Sequence, residues 1–253
     1  GLGLPSLSQT PDFNFLEVAA RAGTWTAMPG MDRMFAVFLA TSEDEQGEIT
    51  FGGYRPERMG EGELAWCDVI DPDQGYWQLE IKGIRAGGQV IDFCGPGAGC
   101  RAVVDTGTSL LGVPSALGPT LVRHLRHTSK SRGDSCDGDG PRLEIDLGNF
   151  TVVLDPADYA RPELIEIEDN PWMKANAVPC PRDSAANKTS QDRGKKCVPS
   201  LMHIDLPLPL SPRTLILGEP ILQKYYTAFD VGGPRIGFAP AIHAPPRKST
   251  QVV

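Results

Sequence analysis

Short apolar runs recur along the whole chain and alternate with turn-forming residues. Several follow a period of two or are apolar throughout, and they are rich in Val, Ile, Phe, Tyr and Trp and bounded by Gly, Pro or Asp. Runs of this length and composition are typical of β-strands. We therefore predict a mostly β protein, with strands at 34–40, 48–51, 64–70, 76–81, 102–104, 143–147, 151–154, 214–217 and 236–238.

Helical patterns are few. Residues 14–21 predict a first helix, with Asp12 as its candidate N-cap. A second helix is predicted to begin near Pro114, and a short third one covers 220–224. Residues 183–196 are polar and lack periodicity, so we expect an exposed loop there.

Composition and charge narrow the class of protein. The 28 Gly and 23 Pro among 253 residues favour many short elements joined by turns over a helical bundle. The formal net charge of −8 argues against a nucleic-acid binder or a binder of anionic membranes, because both need a basic surface. No apolar run approaches the roughly 18 residues of a transmembrane helix, so no membrane span is predicted.

The six cysteines and two glycosylation sequons favour an oxidising, secretory environment. Six cysteines allow many pairings, although Cys94 and Cys100 flank a glycine-rich stretch that can turn back on itself. No CxxC pair is present, so a zinc ribbon is not predicted. The sequons begin at Asn149 and Asn187. The chain opens on Gly1 without a recognisable signal peptide, and we interpret it as a processed product or a fragment.

The most informative stretch covers residues 102–111 and reads AVVDTGTSLL. It places Asp105 at the end of an apolar strand, where a carboxylate is costly unless it is hydrogen-bonded or functional. Gly107 allows a tight turn whose amides can face Asp105, Thr108 can bond the carboxylate, and Thr106 can brace the turn. An isolated Asp-Thr-Gly triplet is usually an ordinary strand-to-turn aspartate, but this ten-residue context favours an active-site carboxylate.

This stretch resembles the second active-site signature of the pepsin-like (A1) aspartic proteases, the cathepsin D relatives. Further segments match that family in the right order, from residue 1 to about residue 241. They are GLGLPSLS at 1–8, GEITFGG at 47–53, GYWQ at 75–78, CVPSLM at 197–202, LILGEP at 215–220, YYTAFD at 225–230 and IGFA at 236–239.

The resemblance implies a fold and a set of domains. It implies the pepsin-like acid protease fold, with residues 1–50 as the end of the N-terminal lobe and the inter-lobe strands. Residues 51–241 are then the C-terminal lobe, and 242–253 a tail. It also implies disulfides between Cys94 and Cys100 and between Cys136 and Cys197. Cys67 and Cys180 are extra, and they could bridge or stay free.

The resemblance also implies the active site. Asp105 is the expected catalytic carboxylate, in an active-site loop completed by Thr106, Gly107, Thr108 and Ser109. Leu217 and Gly218 are expected to cross that loop in a ψ-shaped arrangement. The implied activity is acid-optimal cleavage of peptide or protein substrates between bulky apolar residues, with no metal or organic cofactor. The implied location is the secretory pathway, in an acidic, lysosome-like vesicle or outside the cell.

The family mechanism needs two carboxylates, and this sequence contains one Asp-Thr-Gly triplet. Asp12, Asp32 and Asp44 lie in no comparable context. The second acid is therefore expected from the missing N-terminal lobe, in the same protein or in a partner chain, or from a second copy across a twofold axis. The alternative is a catalytically inactive lobe that serves as a binding or structural subunit.

Other candidate sites receive structural interpretations. His124 and His127 are three residues apart on the predicted second helix, but no third metal ligand stands nearby. The sequence DGDG at 137–140 is interpreted as a turn, because it lacks the later acidic ligand of a calcium loop. Asp230 is predicted to be structural, and Tyr76 and Trp77 to belong to the core or to line a substrate cleft.

Overall fold

Seventeen strands and four α-helices lie in the described part of the chain. The computed structural model describes residues 1–23, 33–129, 136, 138–162 and 195–244. The strands are β1 Met34–Phe38, β2 Glu48–Phe51, β3 Ala65–Asp68, β4 Gln78–Glu80, β5 Gly83–Ala86, β6 Gln89–Val90, β7 Arg101–Val104, β8 Leu111–Val113, β9 His127–Ser129, β10 Leu143–Asp146, β11 Thr151–Leu154, β12 Ala160–Pro162, β13 Lys195–Pro199, β14 Leu201–His203, β15 Thr214–Leu217, β16 Tyr225–Asp230 and β17 Arg235–Pro240.

The helices are short and are α1 Phe15–Arg21, α2 Gly118–Leu125, α3 Pro156–Tyr159 and α4 Glu219–Lys224. Single 3-10 turns lie at Pro5–Leu7, Pro11–Phe13, Pro56–Arg58, Pro72–Gln74 and Asp92–Cys94. Four of these five turns begin with proline, whose fixed φ suits a first helical position. None of the helices in the described ranges has the length and apolar character that a bilayer crossing requires.

The strands form four sheets within the described ranges. Two have five strands, in the orders β2-β1-β16-β17-β3 and β14-β8-β15-β7-β4. The others follow β11-β10-β5-β6 and β12-β13-β9. The mostly β fold predicted from the sequence is therefore confirmed.

Strand β1 is buried on both faces, which explains its uninterrupted apolar sequence. Successive side chains of a strand point to opposite faces. Phe35 and Val37 accordingly join the main core, whereas Ala36 and Phe38 join a second, smaller core on the other face. The neighbouring strand β16 divides in the same way, with Phe229 in the main core.

The structure corrects three details of the predicted elements. Helix α1 is capped by Asn14, whose side chain accepts a bond from Glu17 N at 2.8 Å, while Asp12 pairs with Arg21 instead. Helix α2 begins four residues later than predicted, because residues 114–117 form a turn in which Leu117 N bonds to Pro114 O. Lys195 and Lys196 lie in strand β13 rather than in a loop, and 183–194 fall outside the described residues.

Candidate active site

Asp105 lies where the buried strand β7 ends. Ala102, Val103 and Val104 are at most 9% exposed, so the strand delivers the aspartate directly from the core. Strand β15 runs parallel to β7, and Asp105 N donates to Leu217 O at 3.1 Å. The backbone of Asp105 is thus held by the sheet, and its half-buried side chain projects beyond the sheet's end.

Two donors of the following turn orient the carboxylate of Asp105. Gly107 N donates to Oδ1 at 3.0 Å, and Thr108 Oγ1 donates to Oδ2 at 2.6 Å. The two oxygens therefore each accept a bond from a residue within three positions. Thr106 and Ser109 expose their side chains on the same turn.

Strand β15 lies between the two strands that the active-site turn connects. It pairs in parallel with β7 on one side and antiparallel with β8 on the other. The chain from β7 to β8 must therefore pass around the end of β15, which is the ψ-shaped arrangement. Glu219 N, just after β15, donates to Thr108 O at 2.8 Å and fastens the turn.

Gly218 is required by space at this crossing. A Cβ built on Gly218 would lie 2.2 Å from Thr108 O and 2.4 Å from Leu110 O, and both atoms belong to the backbone. The φ of Gly218 is −93°, so its backbone conformation is open to other residues. Only a residue without a side chain lets β15 approach the active-site turn this closely.

A cavity of about 950 Å³ opens beside Asp105. Its walls are mainly apolar and come from several parts of the chain. Besides strand β7 and its turn, Ile216 and Phe229, the lining includes the N-terminal residues Gly1, Leu2, Gly3 and Leu7; Phe35, Val37, Phe38, Leu39 and Ile49 in and beside β1 and β2; Tyr76 and Trp77; and the segment Leu206, Pro207, Leu208 and Leu210. A half-buried carboxylate therefore faces a large apolar space.

Stacked aromatic rings form one wall of this cavity. Phe35 and Phe229 stack at 4.6 Å between centroids, and Trp77 meets Phe229 edge-on at 5.2 Å. Trp77 is 6% exposed and donates through Nε1 to Leu2 O at 2.8 Å. Trp77 thus serves both the core and the cavity, and Tyr76 beside it is half-buried.

Glu48 is the other acidic residue that lines the cavity, and it is already paired. Its oxygens meet Arg55 Nε at 2.8 Å and an Arg58 side-chain nitrogen at 3.2 Å, and Thr50 Oγ1 donates at 2.8 Å. Burial alone would raise the pKa of Glu48, but the bonds from Thr50 and Arg58, together with the charges of Arg55 and Arg58, outweigh burial and lower that pKa. Glu48 is therefore a structural carboxylate rather than a second acid for Asp105.

The two expected disulfides are present. Cys94 and Cys100 are joined at an S–S distance of 2.03 Å, and Cys136 and Cys197 at 2.02 Å. Cys67 is a free thiol buried in the core, and burial raises its pKa to about 11. Cys180, its possible partner, lies outside the described residues.

The remaining candidates have structural explanations. His124 and His127 do not share a helix, because α2 ends at Leu125 and His127 belongs to β9. Asp230 accepts bonds from Gly232 N at 2.9 Å and from Arg235 Nε at 2.9 Å, so it closes the turn between β16 and β17. No group of three or more potential metal ligands occurs in the described part of the chain.

Sequence reasoning missed the cavity wall at 206–210. Its alternation of leucine and proline was a usable signal, because residues that precede proline favour extended backbone. The N-terminal wall was not foreseeable in the same way. It depends on bonds such as Leu4 N to Gly75 O at 3.0 Å, which join distant segments.

Comparison with known proteins finds related sequences. A family model described as eukaryotic aspartyl protease matches residues 30–241. Cathepsin E of Mus musculus is 32% identical over 257 residues, with 96% of this chain and 53% of that protein covered. Cathepsin E-A of Xenopus laevis is 29% identical, covering 98% and 54%. Gastricsin of Mus musculus is 28% identical, covering 96% and 53%.

The chain therefore spans about half the length of the curated relatives it matches. These relatives are cathepsins E and a gastricsin, so the particular likeness to cathepsin D remains an expectation. The disulfides and the relatives indicate a secretory or lysosomal type of protein. The family model over residues 30–241 and the 32% identity to cathepsin E of Mus musculus show that this chain belongs to the eukaryotic aspartyl protease family.

Proposed function

We propose that this chain supplies one of the two catalytic carboxylates of an aspartic endopeptidase and that Asp105 is that carboxylate. The observation that carries the proposal is its geometry. Both oxygens of Asp105 are oriented by donors of its own turn, and the side chain faces a cavity of about 950 Å³. A structural aspartate such as Asp230 instead accepts hydrogen bonds from an arginine side chain and from the amides of a turn.

The chemistry is general acid/base activation of water. Two close carboxylates cannot both ionise cheaply, so they share a proton and titrate as a pair. The ionised member removes a proton from a water held between them, and the protonated member donates to the peptide carbonyl. Gly107 and Thr108 fix the rotamer of Asp105, so that its lone pairs meet the water without reorganisation.

The exposed loop residues face the partner in this proposal. Thr106 braces the turn against its counterpart in the other lobe, and Ser109 supports the loop. The second acid comes from the N-terminal lobe of the same protein. Two facts support that source: Glu48 is already paired with two arginines, and the relatives are about twice as long.

The substrate class follows from the cavity walls. Leucine, phenylalanine and tryptophan side chains line the space beside Asp105, so we expect bulky apolar residues on both sides of the cleaved peptide bond. In the proposed division, 1–50 ends the N-terminal lobe, 51–241 is the C-terminal lobe and 242–253 is the tail. An acidic vesicle or an acidic extracellular space suits an enzyme whose two carboxylates must share a proton.

The test is peptide cleavage by the full-length protein. We expect pepstatin-sensitive cleavage at acidic pH, and a loss of at least about a hundredfold in kcat for Asp105→Asn. The matched control is Asp44→Asn, an exposed aspartate outside the cavity, which should keep wild-type activity. Cleavage by this chain alone, with dimers in solution, would indicate twofold pairing of copies instead. An inactive full-length protein would indicate the binding or structural subunit.

A further inference from the structure

The turn between β10 and β11 presents Asn149 to solvent. Gly148 has a φ of +87°, and Leu147 N donates to Phe150 O at 2.8 Å, so the turn is tight. Phe150 points inward and stacks on Phe238 at 5.1 Å between centroids. Asn149 and Thr151, on either side of it, are both exposed. The alternation of the backbone thus packs the half-buried middle residue of the sequon against the core and leaves its acceptor and hydroxyl residues accessible.

Asn149 also touches the open edge of a sheet. Strand β3 ends its five-stranded sheet, and no strand of the described ranges pairs with its outer side. Val69 N, just beyond β3, donates to Pro234 O beside β17, so the backbone groups of Val69 face β17. The side of the strand to which a residue's N–H and C=O point alternates from one residue to the next. Trp66 lies three positions before Val69, so its backbone groups point away from β17, toward the outer edge. The Trp66 carbonyl accepts a bond from Asn149 Nδ2 at 3.1 Å.

We propose that Asn149 carries an N-linked oligosaccharide and that this glycan covers the outer edge of β3. Unpaired strand edges are templates for pairing with another chain, and bulky hydrophilic groups obstruct such pairing. Asn149 is the side chain that already lies on this edge, so a sugar attached to it begins beside the unpaired backbone groups.

The modification is the transfer of an oligosaccharide from a lipid-linked donor to the side-chain amide of Asn149. The acceptor is Nδ2 of Asn149, and the co-reactant is an oligosaccharide linked through a pyrophosphate to a lipid. Nδ2 loses one proton and bonds to C1 of the first sugar, while the C1–O bond to the pyrophosphate breaks and the lipid pyrophosphate leaves. The amide has two hydrogens, so the product keeps one N–H for the Trp66 carbonyl. The disulfides Cys94–Cys100 and Cys136–Cys197 suit an oxidising compartment, where this donor is available.

The experiment is mass spectrometry of the full-length protein secreted by eukaryotic cells. Peptide-N-glycosidase acting in ¹⁸O-labelled water converts a glycosylated asparagine into labelled aspartate, and we expect that label at position 149. Asn149→Gln and Thr151→Ala should both abolish it. Thr151→Ser keeps the sequon and should retain it, and Asn187→Gln should leave the label at position 149 unchanged. An unlabelled, unmodified Asn149 overturns the proposal.

A second measurement tests whether the glycan protects the outer edge of β3 from pairing with another chain. We expect the aggregated fraction of secreted protein, measured by size-exclusion chromatography, to rise several-fold in both Asn149→Gln and Thr151→Ala but not in Thr151→Ser. Thr151→Ala keeps the Asn149 amide and its bond to Trp66, so it separates loss of the glycan from loss of that bond. A glycosylated Asn149 with equal aggregation of all variants overturns the edge role.

Discussion

The substitution Gly218→Ala tests whether the ψ-shaped crossing holds the active-site turn. The new methyl group would lie 2.2 Å from Thr108 O and 2.4 Å from Leu110 O, whereas real Cβ atoms essentially never come closer than 3.0 Å. Both obstructing atoms are backbone, so no change of rotamer relieves the contact. Strand β15 and the turn must move apart.

The loss in the free energy of unfolding can be estimated from the hydrogen bonds that this movement breaks. Glu219 N to Thr108 O at 2.8 Å and Asp105 N to Leu217 O at 3.1 Å both cross the gap. Each is worth about 1 kcal/mol, and overpacking a close contact adds about 1–3 kcal/mol. We therefore expect a loss of roughly 3 kcal/mol or more in the free energy of unfolding, together with loss of peptide cleavage in the full-length protein.

The assay is urea unfolding followed by tryptophan fluorescence, with Gly233→Ala as the matched control. A Cβ on Gly233 meets no atom within 4 Å, and its φ lies outside the left-handed region. The control should stay within about 0.5 kcal/mol of the wild type. An unchanged unfolding midpoint and unchanged activity in Gly218→Ala would refute the reasoning about space at the crossing.

Three further substitutions, with Lys82→Met as the control for the third, test the contacts of individual side chains. Thr108→Val keeps the shape but removes the 2.6 Å bond to Asp105 Oδ2, so kcat of the full-length protein should fall about tenfold or more while urea stability changes by about 1 kcal/mol. Burial would raise the pKa of Glu45, but bonds from Ala244 N, His243 and Thr41 N outweigh it and lower that pKa. A lowered pKa gives stability that is present above the unfolded value of about 4.3 and lost as pH falls, so Glu45→Gln should destabilise the protein in urea at pH 6 and by less at pH 3. Lys224 meets Asp155 at 2.8 Å and Asp158 at 2.6 Å in a half-buried cluster, so Lys224→Met should lower urea stability by about 1–3 kcal/mol. Lys82→Met, which breaks an exposed pair with Glu80, should cost under about 1 kcal/mol.

The elements that sequence predicted well are those whose signal is local. Strands β2, β11 and β15 have the predicted bounds because turn-forming or charged residues flank each run. In contrast, β8 and β14 have three residues each, too few to show a period. They exist because they pair with each other in parallel, which no local pattern encodes.

Strand β13 shows how distant contacts override composition. Its lysines and the polar residues before it indicated a loop, yet it forms the middle of a three-stranded sheet. Cys197 accounts for this, because it is bridged to Cys136 and pairs with His127 of β9. A disulfide that closes 61 residues of chain brings these segments together whatever their polarity.

In the candidate site, too, local contacts were predictable from the sequence and contacts between distant segments were not. The bonds from Gly107 and Thr108 to Asp105 span two and three residues, so spacing alone made these residues candidates for them. The contact between Gly218 and Thr108 joins segments far apart in the chain, and only the resemblance to a family suggested it. Patterns in a single sequence do not predict how distant segments pack against each other.

The charges around Asp105 bear on the proposal that a second acid completes the site. Within the described residues, the Asp105 carboxylate accepts from one amide and one hydroxyl, and no lysine or arginine is paired with it. The other acid on the cavity wall, Glu48, is held by Arg55 and Arg58. A carboxylate that is oriented yet left without a cation can share a proton with a second acid, which a salt bridge would prevent. The surroundings of Asp105 therefore support the proposal that a second carboxylate meets it from outside this chain.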